Sequence, residues 1–305
     1  MGDLWNRYTD LTVGPVGITS DQLDIEFTVK GSNSSDSNTA DIVIYNLSRT
    51  TRAKITTDLA VTLKTGYVFD YDTIFSGKVK KVYEERDGGD LKTHITATTL
   101  GYATGRTTVK YAKGTALKTI VQKAFEDSGI PVQAINDQGI TTDSEYTSEV
   151  NASDDLTYCK NLIDGKVEDS SSNLEAAAQA QAKGDLEGAA AAMMAAVHNA
   201  SGNGIKEAKY YVEANGGYFV SSDFAKSADL VVISKETGLI ESVPEDPDDG
   251  SYTRSIKCVL NHRITTDSQV SLVSLGAGAS GTYKVVEYTH TSSGAESYET
   301  EMKVL

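Results

Sequence analysis

Ser280-Gly281-Thr282-Tyr283-Lys284-Val285-Val286-Glu287-Tyr288, near one end of the chain, repeats in kind and in place Ser76-Gly77-Lys78-Val79-Lys80-Lys81-Val82-Tyr83 near the other. Each is a Gly-led strand, and each sits in the same company. An alternating strand ended by Asn comes first, Ile42-Val43-Ile44-Tyr45-Asn46-Leu47 in one copy and Ile256-Lys257-Cys258-Val259-Leu260-Asn261 in the other. A V-x-L strand follows, Val61-Thr62-Leu63 or Val270-Ser271-Leu272-Val273-Ser274. A last strand closes the set, Thr93–Thr98 or Ser297–Val304. The pattern predicts one β-rich unit written twice, on either side of a different middle. A chain with two copies of a unit presents twice as many equivalent surfaces as it has subunits, which suits a threefold object that meets a sixfold one. That is a structural task.

A length of 305 residues predicts two or three domains, with enough chain to bury cores without metal or disulfide staples. Residues 1–105 read as nearly all β, with Asp24–Lys30 alternating, Ser48 or a nearby Thr capping a short helical turn, and Asp87-Gly88-Gly89-Asp90 turning a hairpin. From 106 to 236 the period changes. Leu117, Ile120, Val121, Ala124 and Phe125 share one helical face, ended by Ser128-Gly129-Ile130-Pro131, and a second helix over 154–163 is expected to be capped by Ser153. An Ala-rich stretch, Leu174–His198, predicts two short antiparallel helices about Lys183-Gly184-Asp185, an insertion over about 170–204. A hairpin about Asn215-Gly216-Gly217 and a strand over Leu230–Ser234 complete the middle, and residues 237–305 form the second β unit.

The hydrophobic fraction of 39% fits a soluble globular protein, and no apolar run approaches the ~20 residues that cross a bilayer. No membrane insertion is expected. Met1–Arg7 lacks the basic and apolar regions of a secretion signal, so the chain is expected to be made and kept in a cytoplasm until assembly. Cys159 and Cys258 fall in different predicted domains, and both are read as buried free thiols. A net charge of −15 repels nucleic acid as a whole, which argues against non-specific DNA binding while leaving room for an acidic wall along which DNA slides, and no sequence-specific nucleic acid binding is expected.

Catalytic chemistry does not assemble. His94, His198, His262 and His290 are scattered, without Cys or His at metal-ligand spacing. The loop Asp246-Pro247-Asp248-Asp249-Gly250 puts Gly at the fifth position where a calcium loop needs it at the sixth, so it reads as a solvated loop. Glu84 and Glu85 are strand neighbours pointing to opposite faces, which separates them as a glycosidase pair. No catalytic residue, cofactor-binding residue, metal ligand or cofactor is expected, and the chain is read as not an enzyme.

Asn46-Leu47-Ser48, Val61–Tyr67, Ile74–Val79 and Thr93–Ala97, with Ile233–Ile240, Val259–Ile264, Val270–Ser274 and Gly281–His290, resemble phage tail baseplate hub proteins, relatives of the N-terminal region of type VI secretion spikes. The resemblance covers both ends and, more loosely, 105–165 and 209–235, while the Ala-rich segment departs from it. It implies a mainly β fold with an α+β middle, in which two tail-tube-like β-barrel domains flank a mixed region. It also implies a homotrimer whose six β domains make a pseudo-sixfold ring around a DNA channel. The implied partners are the chain itself, tail tube or distal tube proteins, a spike protein and baseplate wedge proteins. The implied location is the virion's tail baseplate, after assembly in the host cytoplasm. Because the sequence stops at Leu305 without a needle or lytic domain, piercing or lysis is assigned to a partner. A carbohydrate-binding or adhesin-type tail module is the second reading, and a peptidoglycan hydrolase the third.

Overall fold

Period-two alternation is what drives this chain into sheet. In β3, Ile25–Ser32, the residues Ile25, Phe27 and Val29 turn inward while Glu26, Thr28 and Lys30 face outward or lie half-buried. Each such apolar side chain contributes roughly 1.5–3 kcal/mol by leaving water. The computed structural model describes residues 6–34, 37–99, 101–183, 185, 188–190, 192, 205–226, 230–245, 252–273, 280–294 and 296–305. It divides into two compact units: Met1–Gly101 with Tyr211–Gly216 and Ala225–Leu305, and Tyr102–Tyr210 with Gly217–Phe224.

The first unit is the β unit. Its strands are β1 (Arg7–Val13), β2 (Val16–Thr19), β3, β4 (Thr39–Tyr45), β5 (Ala60–Tyr67), β6 (Asp70–Asp87) and β7 (Asp90–Thr99), followed much later by β13 (Val231–Ile233), β14 (Leu239–Pro244), β15 (Arg254–Val259), β16 (Gln269–Leu272), β17 (Gly281–Ser293) and β18 (Ser297–Val304). They form one sheet in the order β14-β15-β18-β17-β3-β4-β7-β6-β5-β1-β2, with β16 also on β17 and β13 on β16. The expected duplication is present as topology: β3-β4-β7-β6-β5 in the first copy matches β14-β15-β18-β17-β16 in the second.

The match extends to irregularities. Each long hairpin carries a bulge at one place, between Val79 and Lys81 against β7 and between Val285 and Glu287 against β18. Each turns on a glycine in the left-handed region, Gly88 at φ 60° and Gly294 at φ 51°. These marks pair Val79 with Val285, which corrects the sequence register by two residues: Gly77 corresponds to Tyr283, because Val61 faces Gly77 and Val270 faces Tyr283. The strand-ending Asn also shifts. Asn46 donates its amide to the Leu91 carbonyl, whereas Leu260, not Asn261, makes the matching bond to Tyr298.

The mainly β class with a helical middle holds. Closure into two separate β-barrels does not: the sheet path ends at β14 and β2, because the free edge of β17 is taken by β3 rather than by a strand of its own copy. One apolar core runs through both copies, from Leu11, Phe27, Ile42 and Leu63 to Ile256, Leu272, Val285 and Met302.

The short helix α1, Arg49–Arg52, lies in the first unit and is capped by Ser48, while the second unit holds the two long helices. Helix α2, Leu117–Asp127, buries the five expected residues and stops at Gly129, whose φ is 68°. Helix α3 runs without a break from Ala152 to Ala182. The predicted polar boundary at 169–173 therefore lies inside a helix, and the first of the two short Ala-rich helices is its continuation, as strong helix propensity allows. Its cap is Asn151, not Ser153. The second arm falls partly outside the described residues, since 193–204 are not among them. Arg106 joins Asp127 at 2.9 Å and also pairs with buried Asp155, which accepts from Tyr146 Oη at 2.6 Å. Strands β8 (Lys110–Tyr111) and β10 (Tyr146–Thr147) pair, while β9 (Val132–Ile135) lies parallel to β12 (Gly216–Ser221), the partner of β11 (Ala208–Glu213).

Gly77 tests the hairpin packing. A Cβ there would meet the Thr98 carbonyl oxygen at 2.0 Å, whereas one at Gly17 meets nothing within 4 Å. Gly77→Ala is expected to cost about 2 kcal/mol in urea unfolding and Gly17→Ala well under 1 kcal/mol.

Candidate functional site

The charged residues of the β unit that leave water do so around one carboxylate. Glu213 ends the aromatic strand β11, Ala208–Glu213, and is only 4% exposed. Its Oε1 accepts from the Thr266 amide at 3.1 Å and lies 4.0 Å from Lys226 Nζ, and its Oε2 accepts from Tyr288 Oη at 3.1 Å. Lys226 donates to Thr265 Oγ1 at 3.0 Å, and its backbone amide donates to the Asp267 carbonyl. Asp267 is fully buried, sits at φ 60° and accepts from Tyr211 Oη at 2.6 Å. Burial lowers the Lys226 ammonium pKa, with Glu213 and Asp267 pulling the other way. Burial beside Glu213 raises the Tyr288 phenol well above its ordinary range.

This cluster lines the walls of two adjoining hollows of about 410 and 400 Å³, which share Asp72, Thr73, Asn215, Lys226 and Thr265. Both oxygens of Glu213 are already engaged, and the donors around it are held by neighbours. The arrangement positions backbone: it fastens 211–216 and Lys226 to the turn at 265–267 and to β17. Sequence reading missed Glu213, Lys226 and Asp267, although an acid ending the run Tyr210-Tyr211-Val212 was the available signal.

The histidines singled out in the sequence are dispersed. His94 stacks on Tyr83 with centroids 4.5 Å apart and lies 3.1 Å from Glu85, while Glu84 lies 3.0 Å from Arg52. His262 edges the second hollow 3.7 Å from Asp70, and burial lowers its pKa. His290 is fully buried, with Nδ1 2.8 Å from Thr300 Oγ1 and Nε2 3.0 Å from the Ile264 carbonyl, and burial pushes its pKa down to about 3. His198 and the 246–250 loop lie outside the described residues. Cys159 and Cys258 are free and buried, each thiol pushed up to about 12 by desolvation. Among the described residues no group of His, Cys, Asp or Glu could hold a metal ion, and no helix is long and apolar enough to cross a membrane.

No protein-family model matches the chain, and no curated protein matches its sequence. Solved structures do match its fold. A 43 kDa tail protein of prophage MuSo2 from Shewanella oneidensis superposes with a TM-score of 0.59 at 9% identity, over 98% of each chain. A tail protein from Neisseria meningitidis MC58 gives 0.60 at 8% identity, over 98% of this chain and 96% of the other. An E. coli component of the type VI secretion system, similar in structure to T4 bacteriophage tail proteins, gives 0.55 at 8% identity over 97% and 76%. The chain has the fold shared by these tail and secretion proteins.

Glu213→Ala removes the carboxylate that accepts from buried Tyr288 and from the Thr266 amide and that faces Lys226, and is expected to cost about 3 kcal/mol in urea unfolding. His290 sets a pH dependence. Its folded pKa of about 3 lies below the ordinary 6.5, so the unfolded chain takes up the proton first as pH falls. Its stability contribution is intact above pH 6.5 and is lost from there down to about 3, at up to about 1.4 kcal/mol per pH unit. Urea midpoints of His290→Gln are expected to vary less steeply with pH over that window than those of the parent.

Proposed function

We propose that this chain is a structural hub of a phage-type tail, three copies forming a ring of six β units. One face of the ring receives a sixfold tail tube, the other carries a threefold spike, and DNA passes through the bore. The observation that carries this reading is the five-strand duplication, β3-β4-β7-β6-β5 against β14-β15-β18-β17-β16. Two copies per chain turn three chains into six near-equivalent positions without a sixfold gene product. The fold shared with tail proteins supports the same assignment, as does a net charge of −15 that disfavours gripping DNA. The reading places the chain in the tail baseplate of a virion, bound to tube, spike and wedge proteins.

Light scattering across a range of concentrations tests it. A species at three times the 32.6 kDa chain mass is expected. A chain that stays at one chain mass throughout overturns the ring.

A further inference from the structure

The walls of the two hollows bring together an amine, a carboxylate and a carboxamide. The amine is Lys226, whose side chain is only 13% exposed and whose Nζ lies 3.0 Å from Thr265 Oγ1 and 4.0 Å from Glu213 Oε1. Taking an ammonium out of water is costly, and burial lowers the pKa of this one although Glu213 and Asp267 oppose the shift. The neutral amine that results carries a lone pair and is a nucleophile. Glu213 is fixed beside it, with the Thr266 amide on Oε1 and Tyr288 Oη on Oε2.

An amine in this position can attack a carbonyl carbon in the same walls. Asp72 and Asn215 both line the two hollows together with Lys226, whereas Gln269 lines only the second. Asp72 is an exposed carboxylate that accepts from the Thr73 amide at 2.6 Å, and its negative charge makes its carbon a poor electrophile. Asn215 is a neutral carboxamide. It stands on the two-residue turn Ala214-Asn215 between β11 and β12, two positions beyond Glu213. We infer that Lys226 and Asn215 become joined by an isopeptide bond, which the folded chain forms by itself with Glu213 carrying the proton.

The step balances without an oxidant or cofactor. Lys226 Nζ attacks Asn215 Cγ, and the carbonyl electron pair moves onto Oδ1. Glu213 Oε1 takes a proton from Nζ and passes it to Nδ2. The carbonyl then re-forms, the Cγ–Nδ2 bond breaks, and Nδ2 leaves as ammonia through the open hollow. One amide replaces another, and Glu213 ends as the carboxylate it was.

The bond sits where a structural chain can use it. Tyr211–Gly216 belong to the β unit, the chain then leaves it, and the unit resumes at Ala225. Hydrogen bonds hold these two short returns, through Tyr211 and Glu213 on one and Lys226 on the other. A covalent link from 215 to 226 ties one return to the other, and it also removes a charge from a buried position. The inference does not rest on the ring.

Intact-mass spectrometry of the purified chain tests it. The chain is expected about 17 Da below its sequence mass, the mass of one ammonia. After denaturation, trypsin is expected not to cut behind Lys226, so that residues 210–235 stay in one peptide that carries the loss between Asn215 and Lys226. Lys226→Arg and the exposed-turn variant Asn215→Ala are each expected to restore the full mass, and the folded fraction of Glu213→Gln to remain mostly unlinked. Full mass in the parent, with cleavage behind Lys226, overturns the bond. Loss of ammonia that persists in Lys226→Arg is a cyclic imide at Asn215-Gly216 and overturns it too. A link from Lys226 to Gln269 or Asp72 overturns the choice of Asn215, and linkage of Glu213→Gln to the parent's extent overturns the proton route.

Discussion

The seam between β17 and β3 is the constraint on which the β unit depends. Without it the chain would carry two half-sheets with open edges; with it, residues more than two hundred positions apart share one core. The seam is closely fitted. A Cβ at Gly31 would lie 2.4 Å from the Tyr288 ring, so the backbone of β3 approaches β17 only because position 31 has no side chain. Nearby, Tyr298 of β18 donates to the Gly66 carbonyl at 2.5 Å and accepts from its amide at 2.9 Å, tying the second copy to β5 as well.

Buried polar groups gather at this seam. His290 spends both ring nitrogens on neighbours within the second copy, and Tyr288 reaches Glu213, which in turn holds Thr266 and faces Lys226. Such groups add less net stability than apolar packing would, but a register shift would leave each of them unsatisfied. They penalise the wrong alignment of two strands far apart in sequence, which is what a duplicated unit with many similar strands requires. The first copy lacks counterparts of these groups, and its matching edge is charged instead.

The asymmetry between the two copies has a physical reading. One junction is covalently tethered, forms at high effective concentration and tolerates buried polar groups that must desolvate. The matching edge of the first copy, Lys81–Asp87 of β6, pairs with no strand among the described residues and must stay soluble on its own. The charges along β6 and the proline in β14 meet that requirement.

The strands were legible in the chain before folding, because alternation at 42–47, 61–63, 93–98, 256–261 and 297–304 is a local pattern that a half-buried sheet imposes directly. The duplication and the face of helix α2 were legible too, since Leu117, Ile120, Val121, Ala124 and Phe125 follow the 3.6 period. The features that no local pattern carried are non-local. The two-residue register between β6 and β17 depends on bulges that leave no mark in composition, and the continuous α3 depends on residues 169–173 taking up helix despite their polar character. The fusion of both copies into one sheet joins β17 to β3 across more than two hundred positions, and Glu213 meets Lys226 and Tyr288 from 13 and 75 positions away, separations that no local pattern records.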